Sequence, residues 1–313
     1  MMLTPTEYLD ALLALPGLGN TRFSRDGRWV AWTWSGAAPV ADVYAAPTDG
    51  SAASVRLTAG TENTRLVDWT PDSRAVLVRQ DHGGDERMRL FRVDLDQPLA
   101  LTPLTEDRPN YFLRGGALHP NGRWLCYGAN VDVASGREIE PTWVYRHDLA
   151  TGERRVLARP EQACGAAPEL SPDGAWILYH RADLHPAGRQ VWLVDSEGRE
   201  DRELLNFGAD VKTYGSWLPD GRRVLVQSET KTHTRLGVYD VADGALRWLI
   251  DDPARNIEDA YAPENGSGQI VVAEVRAARI AASLLDPSTG AETPFLTVSG
   301  NLVPRAPVGG AWI

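Results

Sequence analysis

The stretch LSPDGAWILYHR, residues 170–181, decides the reading of this chain, because it returns in altered form along the whole sequence. The other copies are FSRDGRWVAWTWS (23–35), WTPDSRAVLVRQ (69–80), LHPNGRWLCYGA (118–129), WLPDGRRVLVQS (217–228) and the degraded YAPENGSGQIVVAE (261–274). Their anchor residues are Asp26, Asp72, Asn121, Asp173, Asp220 and Asn265, at spacings of 46, 49, 52, 47 and 45 residues. Proline presets φ for the first central position of a turn, and Asp or Asn followed by Gly closes it. Each copy therefore predicts a hairpin, with an alternating apolar strand after the turn. Arg25 replaces the proline in the first copy and Ser73 the glycine in the second.

A second element follows every copy. These are ADVYAAP (41–47), RLFRVDL (89–95), WVYRHDL (143–149), VWLVDSE (191–197), LGVYDVA (236–242) and ASLLDPS (282–288). Most carry an Asp near the end, then a small turn and a last short strand. Four antiparallel strands in each unit of ~45 to 50 residues predict an all-β fold, a β-propeller of four-stranded blades. The blades are expected at about 20–60, 61–107, 108–160, 161–208, 209–256 and 257–300, with the start of a seventh at 301–313. Residues 1–19 read as a short N-terminal helix and linker. Thr4 and Glu7 form a capping box, Pro5 sits at the first helical position, and Pro16–Gly17 stops the helix. The final NLVPRAPVGGAWI supplies a strand, a turn at Gly309–Gly310 and the start of another strand, so the sequence reads as a piece of something longer.

Composition excludes several classes. The 313 residues are 43% hydrophobic and 24% charged, a globular profile. A net charge of −10 argues against nucleic acid, whose phosphates need a basic stripe, and against an anionic membrane surface. There is no run of apolar residues long enough to span a bilayer. Cys126 and Cys164 lie 38 residues apart, without zinc-ligand spacing, and read as buried thiols of a reducing compartment. The expected localisation is cytoplasmic.

The segment QDHGGDERMRLFRVDL (80–95) concentrates Asp81, His82, Asp85 and Glu86 around a glycine pair. It could be a metal site, a carboxylate cluster or a turn. Gly83 and Gly84 favour a tight hairpin between the second and third strands, with Arg87 available for ion pairing. No three ligands of a metal set are evident, and no cofactor is expected. Ser171, His180 and Asp173 suggest a triad on paper. Yet Ser171 aligns with Ser24, Thr70, His119 and Leu218, and a position that accepts leucine is a turn position. His147, His180, His185 and His233 are scattered. The tryptophans at strand positions, Trp29, Trp32, Trp34, Trp124, Trp143, Trp176, Trp192, Trp217 and Trp248, are expected between blades.

The stretch GGDERMRLFRVDL, the N-terminal helix leading straight into SRDGRWVAW, and the closing GGAWI together resemble the N-terminal propeller of the prolyl oligopeptidase family, in its acylaminoacyl-peptidase-like branch. The resemblance covers essentially the whole chain. It implies an α/β-hydrolase domain as partner, in cis or in trans, carrying a Ser-Asp-His triad with its serine in a Gly-x-Ser-x-Gly elbow. It implies peptides as that domain's substrates and a propeller that gates their entry, with His82, Asp85, Glu86 and Arg87 on a gating loop. No Gly-x-Ser-x-Gly occurs here, so this chain is expected to be non-catalytic, with no catalytic or metal residue of its own. A stand-alone scaffold for a protein partner, similar to the Tol-system propeller, is the rival reading. A calcium-dependent lactonase is the third, and lacks an evident Glu/Asn/Asp set.

Overall fold

The structure is a computed structural model that describes residues 4–13, 17–35, 40–108, 110–162, 167–263, 268–295, 301, 307–308 and 311–312. The chain divides into two compact units, residues 1–116 and 117–313. Among the described residues there are six four-stranded antiparallel sheets, each in simple sequential order, and one two-stranded sheet. These are the blades of a β-propeller.

The first unit opens with α1 (Pro5–Leu13). Its capping box forms as expected: the Thr4 N–H donates to Glu7 Oε2 at 2.8 Å, and the Glu7 N–H to Thr4 Oγ1 at 3.3 Å. Blade 1 is β1 (Gly17–Phe23), β2 (Trp29–Ser35), β3 (Asp42–Pro47) and β4 (Val55–Arg56). Strand β1 thus begins inside the stretch read as linker. Its GLGN half is exposed and lacks the period-2 alternation that marks a half-buried strand. Blade 2 is β5 (Thr64–Trp69), β6 (Ala75–Gln80), β7 (Arg89–Asp94) and β8 (Thr102–Pro103). Ala31, Val43, Ala45 and Leu57 pack against Leu66, Trp69, Val76 and Val78, all nearly inaccessible to solvent. Burying each of the valines and leucines among them contributes about 1.5–3 kcal/mol.

Blade 3 is β9 (Leu113–Leu118), β10 (Trp124–Asp132), β11 (Arg137–Asp148) and β12 (Arg154–Ala158). Blade 4 is β13 (Glu169–Leu170), β14 (Trp176–Arg181), β15 (Gln190–Asp195) and β16 (Asp201–Leu205). Blade 5 is β17 (Lys212–Trp217), β18 (Arg223–Glu229), β19 (Thr234–Asp240) and β20 (Leu246–Ile250). Blade 6 is β21 (Ile257–Tyr261), β22 (Ile270–Arg276), β23 (Arg279–Leu285) and β24 (Glu292–Pro294). Strands β25 (Pro307–Val308) and β26 (Ala311–Trp312) pair antiparallel in the segment read as the start of a seventh blade. Asn265, the Gly309–Gly310 turn and Cys164 lie outside the described residues.

The recurring turn has a recurring chemistry. Ser24 Oγ donates to Asp26 Oδ1 at 2.6 Å and accepts the Trp29 N–H at 2.9 Å. Thr70 with Asp72 and Ala75, and Ser171 with Asp173 and Trp176, repeat this arrangement. Position four of the turn needs a left-handed backbone: Gly27, Gly174 and Gly221 take φ of 70°, 76° and 65°. Ser73 takes φ of 59° at that position, despite having a side chain.

Consecutive blades are also bracketed. Nine residues after the turn hydroxyl, Thr33 Oγ1 accepts the Leu66 N–H at 2.9 Å. At the same repeat position His180 Nε2 accepts the Gly215 N–H at 3.3 Å, and Gln227 Nε2 donates to the Ala260 carbonyl at 3.1 Å. Trp69 Nε1 donates to the Arg22 carbonyl at 3.1 Å, as Trp217 Nε1 does to Glu169 at 3.3 Å. Of the tryptophans expected between blades, only Trp217 is buried. Several of the rest lie half-buried beneath guanidinium groups: Arg146 over Trp124, Arg181 over Trp192 and Arg235 over Trp248 at 4.1, 3.7 and 4.3 Å. Arginine supplies the second half of their cover by cation–π contact.

Candidate functional site

In blade 2, strand β5 begins, β6 ends, β7 begins and β8 ends at one end of the sheet. That end carries the 81–88 hairpin together with the connection 57–63 and residues 104–108. The glycine pair makes the hairpin possible, since Gly83 and Gly84 take φ of 60° and 78°. Glu86 also sits at positive φ, 58°.

Asp81 is buried at the root of the hairpin. Its carboxylate accepts the Asn63 N–H at 3.0 Å and Asn63 Nδ2 at 3.4 Å, while Asn63 Oδ1 accepts the Ala41 N–H at 3.1 Å. Asp81 therefore ties the loop to the preceding connection and is not a free carboxylate. Asp85 Oδ1 accepts the His82 and Arg87 amides at 3.1 and 2.9 Å, and the Arg87 amide chiefly holds its carboxyl below the ordinary value. His82 Nδ1 stands 3.5 Å from Glu62 Oε1, and Glu62 Oε2 accepts the Gly83 N–H at 2.5 Å. Arg87 donates to Asn110 Oδ1 and not to an acid of its own loop. His82, Asp85 and Glu86 form an exposed polar lip.

Beside the lip lies a shallow groove of about 380 Å³, lined by Arg89, Phe91 and the segment 103–107. Arg89 pairs with Asp107 at 3.0 Å and lies 5.8 Å over the Phe91 ring. Arg108 pairs with Glu106 at 2.7 Å. The acids of this rim are thus largely engaged.

Three arginines at the same end were not singled out from the sequence. Arg65 and Arg79 face each other directly across β5 and β6. Arg114 of β9 is close enough for its charge to act on Arg79, and stacks 4.1 Å over the Phe112 ring. Arg79 occupies the repeat position of Thr33, His180 and Gln227, and that offset was the one signal available in the sequence.

The second unit uses its polar groups for structure. Ser171 is spent on its turn, and His180 sits four residues beyond Trp176, roughly 13 Å along β14 at ~3.3 Å per residue. The two cannot meet, so the Ser171–His180–Asp173 triad does not form. Thr232 Oγ1, His233 and Asp251 stand in a row, with His233 Nδ1 2.9 Å from Thr232 and Nε2 2.6 Å from Asp251. The Thr230 N–H also donates to the His233 carbonyl at 2.9 Å, and the His233 N–H to Thr230 Oγ1 at 3.1 Å, which closes the β18–β19 turn. Among the described residues no three His, Cys, Asp or Glu side chains converge as a metal set. No helix of the described residues is long and apolar enough to cross a membrane.

Six four-stranded antiparallel blades define the chain as a β-propeller. No protein-family model matches the chain. It is 26% identical over 309 residues to dipeptidyl aminopeptidase BIII of Pseudoxanthomonas mexicana, a match covering 84% of this chain and 42% of that protein. The chain therefore spans less than half of that relative's length. The structure of a puromycin-hydrolyzing peptidase of Mycobacterium tuberculosis superposes with a TM-score of 0.72 at 15% identity, covering 96% of this chain and 49% of that one. A putative TolB of Agrobacterium tumefaciens superposes with a TM-score of 0.55 at 17% identity, covering 75% and 81%. The resemblance to the propeller of prolyl-oligopeptidase-type enzymes stands, and this chain corresponds to the propeller piece alone.

Proposed function

We propose that this chain is the non-catalytic propeller of a serine peptidase, gating the access of peptides to an α/β-hydrolase domain in cis or in trans. The observation that carries this reading is the 309-residue match to a dipeptidyl aminopeptidase, which leaves more than half of that relative unmatched. The lack of a Gly-x-Ser-x-Gly elbow in this sequence agrees with it. The lip of His82, Asp85, Glu86 and Arg87 is the gating element. Its root is fixed by Asp81 and Asn63, so the polar tip meets a peptide without the blade having to rearrange. The buried, free Cys126 supports a reducing, cytoplasmic setting.

The test is incubation of the chain with acyl-amino-acid and dipeptidyl p-nitroanilides and with a serine-directed fluorophosphonate, alongside binding of short unstructured peptides. No hydrolysis, no labelling and salt-sensitive peptide binding are expected. Hydrolysis blocked by the fluorophosphonate overturns the non-catalytic reading. Failure to bind any peptide, with stable capture of a folded protein partner, favours instead a scaffold of the kind the TolB likeness suggests.

A further inference from the structure

Blades 2 and 5 carry the same row of polar side chains, closed in one and not in the other. In blade 2 the row is Thr64, Gln80 and Arg89, direct partners in the β5–β6 and β6–β7 registers. Gln80 Nε2 donates to Thr64 Oγ1 at 2.9 Å, that hydroxyl donates to the Glu62 carbonyl at 3.3 Å, and Arg89 pairs with Asp107 at 3.0 Å. In blade 5 the row is Thr213, Ser228 and Arg235, direct partners across β17, β18 and β19. The repeat aligns them: Gln80 and Ser228 each stand ten residues beyond their turn positions, Thr70 and Leu218.

The blade 5 row is not closed by its own groups. Thr213 and Ser228 are wholly buried, both at 0% exposure, and neither Thr213 Oγ1 nor Ser228 Oγ has a hydrogen-bond partner among the described residues. The same holds for Arg235 Nε, a buried atom of a half-buried side chain. The face they share buries Trp217, Val224 and Val226 against Val191 and Leu193 of blade 4. The Arg235 guanidinium lies 4.3 Å over the Trp248 ring and 5.4 Å over the Phe207 ring, and among the described residues no carboxylate pairs with it. Glu229 and Asp251, which adjoin β18 and β20 at this end of the blade, are taken by Lys212 at 3.2 Å and His233 at 2.6 Å. Buried donors left without an acceptor cost free energy, and a buried charge without a counter-charge costs more.

We propose that Thr213 Oγ1, Ser228 Oγ and Arg235 Nε bind one small monovalent anion, of the size of chloride, within blade 5. All three groups donate, and the row holds no carboxylate or amide oxygen to accept. Serine in place of glutamine frees more than the roughly 30 Å³ that one water occupies in the liquid. A water joins hydroxyls as well as an anion does, but only an anion also offsets the guanidinium charge. Side chains directly opposite in an antiparallel pair have Cβ atoms about 4.5–5.5 Å apart, so an ion at Ser228 lies between its two neighbours in the row. The bound ion does for β17, β18 and β19 what the Gln80 amide and Asp107 do in blade 2. The inference is independent of the peptide-gating reading.

The experiment is a melting titration of the full chain at constant ionic strength, with sodium chloride or sodium bromide replacing sodium gluconate, whose anion is too large for the row. Both halides should raise the melting temperature to a plateau. Thr213→Val and Ser228→Ala, which remove a hydroxyl and little volume, should each weaken the apparent halide affinity about fivefold or more, and Arg235→Gln about tenfold or more. Ser228→Gln, which writes the blade 2 row into blade 5, should leave the melting temperature indifferent to chloride. Wild-type crystals soaked in bromide supply a measurement that needs no variant to fold: an anomalous peak is expected within hydrogen-bonding reach of Thr213 and Ser228. A wild-type melting temperature indifferent to halide, a halide effect equal in wild type and variants, or a bromide-soaked crystal without that peak would each overturn the proposal.

Discussion

His180 Nε2 accepts the backbone N–H of Gly215 at 3.3 Å, one blade's second strand holding the next blade's first. Only an imidazole without a proton on that nitrogen can do so. Burial drives its pKa from an ordinary 6.5 down to about 4, with the charge of Arg189 adding to the effect. The unfolded chain therefore takes up the proton first. The stability this implies is complete above pH 6.5 and drains away as pH falls toward 4, by up to about 3 kcal/mol. Melting temperatures measured across that interval should fall for the wild type, and His180→Gln should flatten the slope. A slope left intact by the substitution would place the titration elsewhere.

A second acid transition should follow at lower pH. The Ser24 hydroxyl chiefly holds the Asp26 carboxyl at about 2, and the Arg123 guanidinium does the same for Asp148, against an ordinary 3.8. Such depressed carboxylates contribute stability that is present above 3.8 and is lost as pH falls through about 2. Asp148→Asn should lower the melting temperature at pH 7 and reduce its dependence on pH between 4 and 2. Equal slopes for variant and wild type would count against the assignment.

Glycines at Gly188 and Gly84 should respond differently to alanine. A methyl group at Gly188 would collide with the Ala209 carbonyl oxygen, a backbone atom that cannot swing aside. The expected loss is about 3 kcal/mol. At Gly84 nothing obstructs a methyl group, but φ is 78°, so Gly84→Ala should cost only about 1–2 kcal/mol. Urea midpoints of the two variants will rank them, and a reversed order would contradict the packing around Gly188.

Cys126 is buried in blade 3, and its thiol is pushed up to about 12 by loss of solvent. The thiolate is the reactive form. Mass spectrometry after iodoacetamide treatment at pH 8 should find Cys126 unmodified in the native chain and modified in guanidinium chloride. Rapid native labelling of Cys126 would show the blade to be open.

The blades were legible because their turns are written in short local words. Pro-Asp-Gly needs no distant partner, so Asp26, Asp72, Asp173 and Asp220 announce their hairpins from sequence alone. Thr4 and Glu7 announce the helix cap in the same way. The hairpin of Gly83 and Gly84 was legible because left-handed φ is a local property. The Arg65–Arg79 pair was hidden because the two lie 14 residues apart and meet only through the β5–β6 register. His180 read as the edge of a loop because its partner, Gly215, lies 35 residues away. Asp81 looked available for chemistry because its partner Asn63 belongs to the preceding connection. Strand β1 escaped notice at Gly17 because an exposed strand start carries no apolar alternation.

The brackets from Thr33 to Leu66 and from His180 to Gly215 all run forward, from a second strand to the amide of the strand that follows it. An amide so held exchanges its hydrogen only when the preceding blade lets go. The exchange rates of Leu66 and Gly215 therefore report on blades to which those residues do not belong. Within each unit, the protection measured in one repeat is a gauge of the opening free energy of its predecessor.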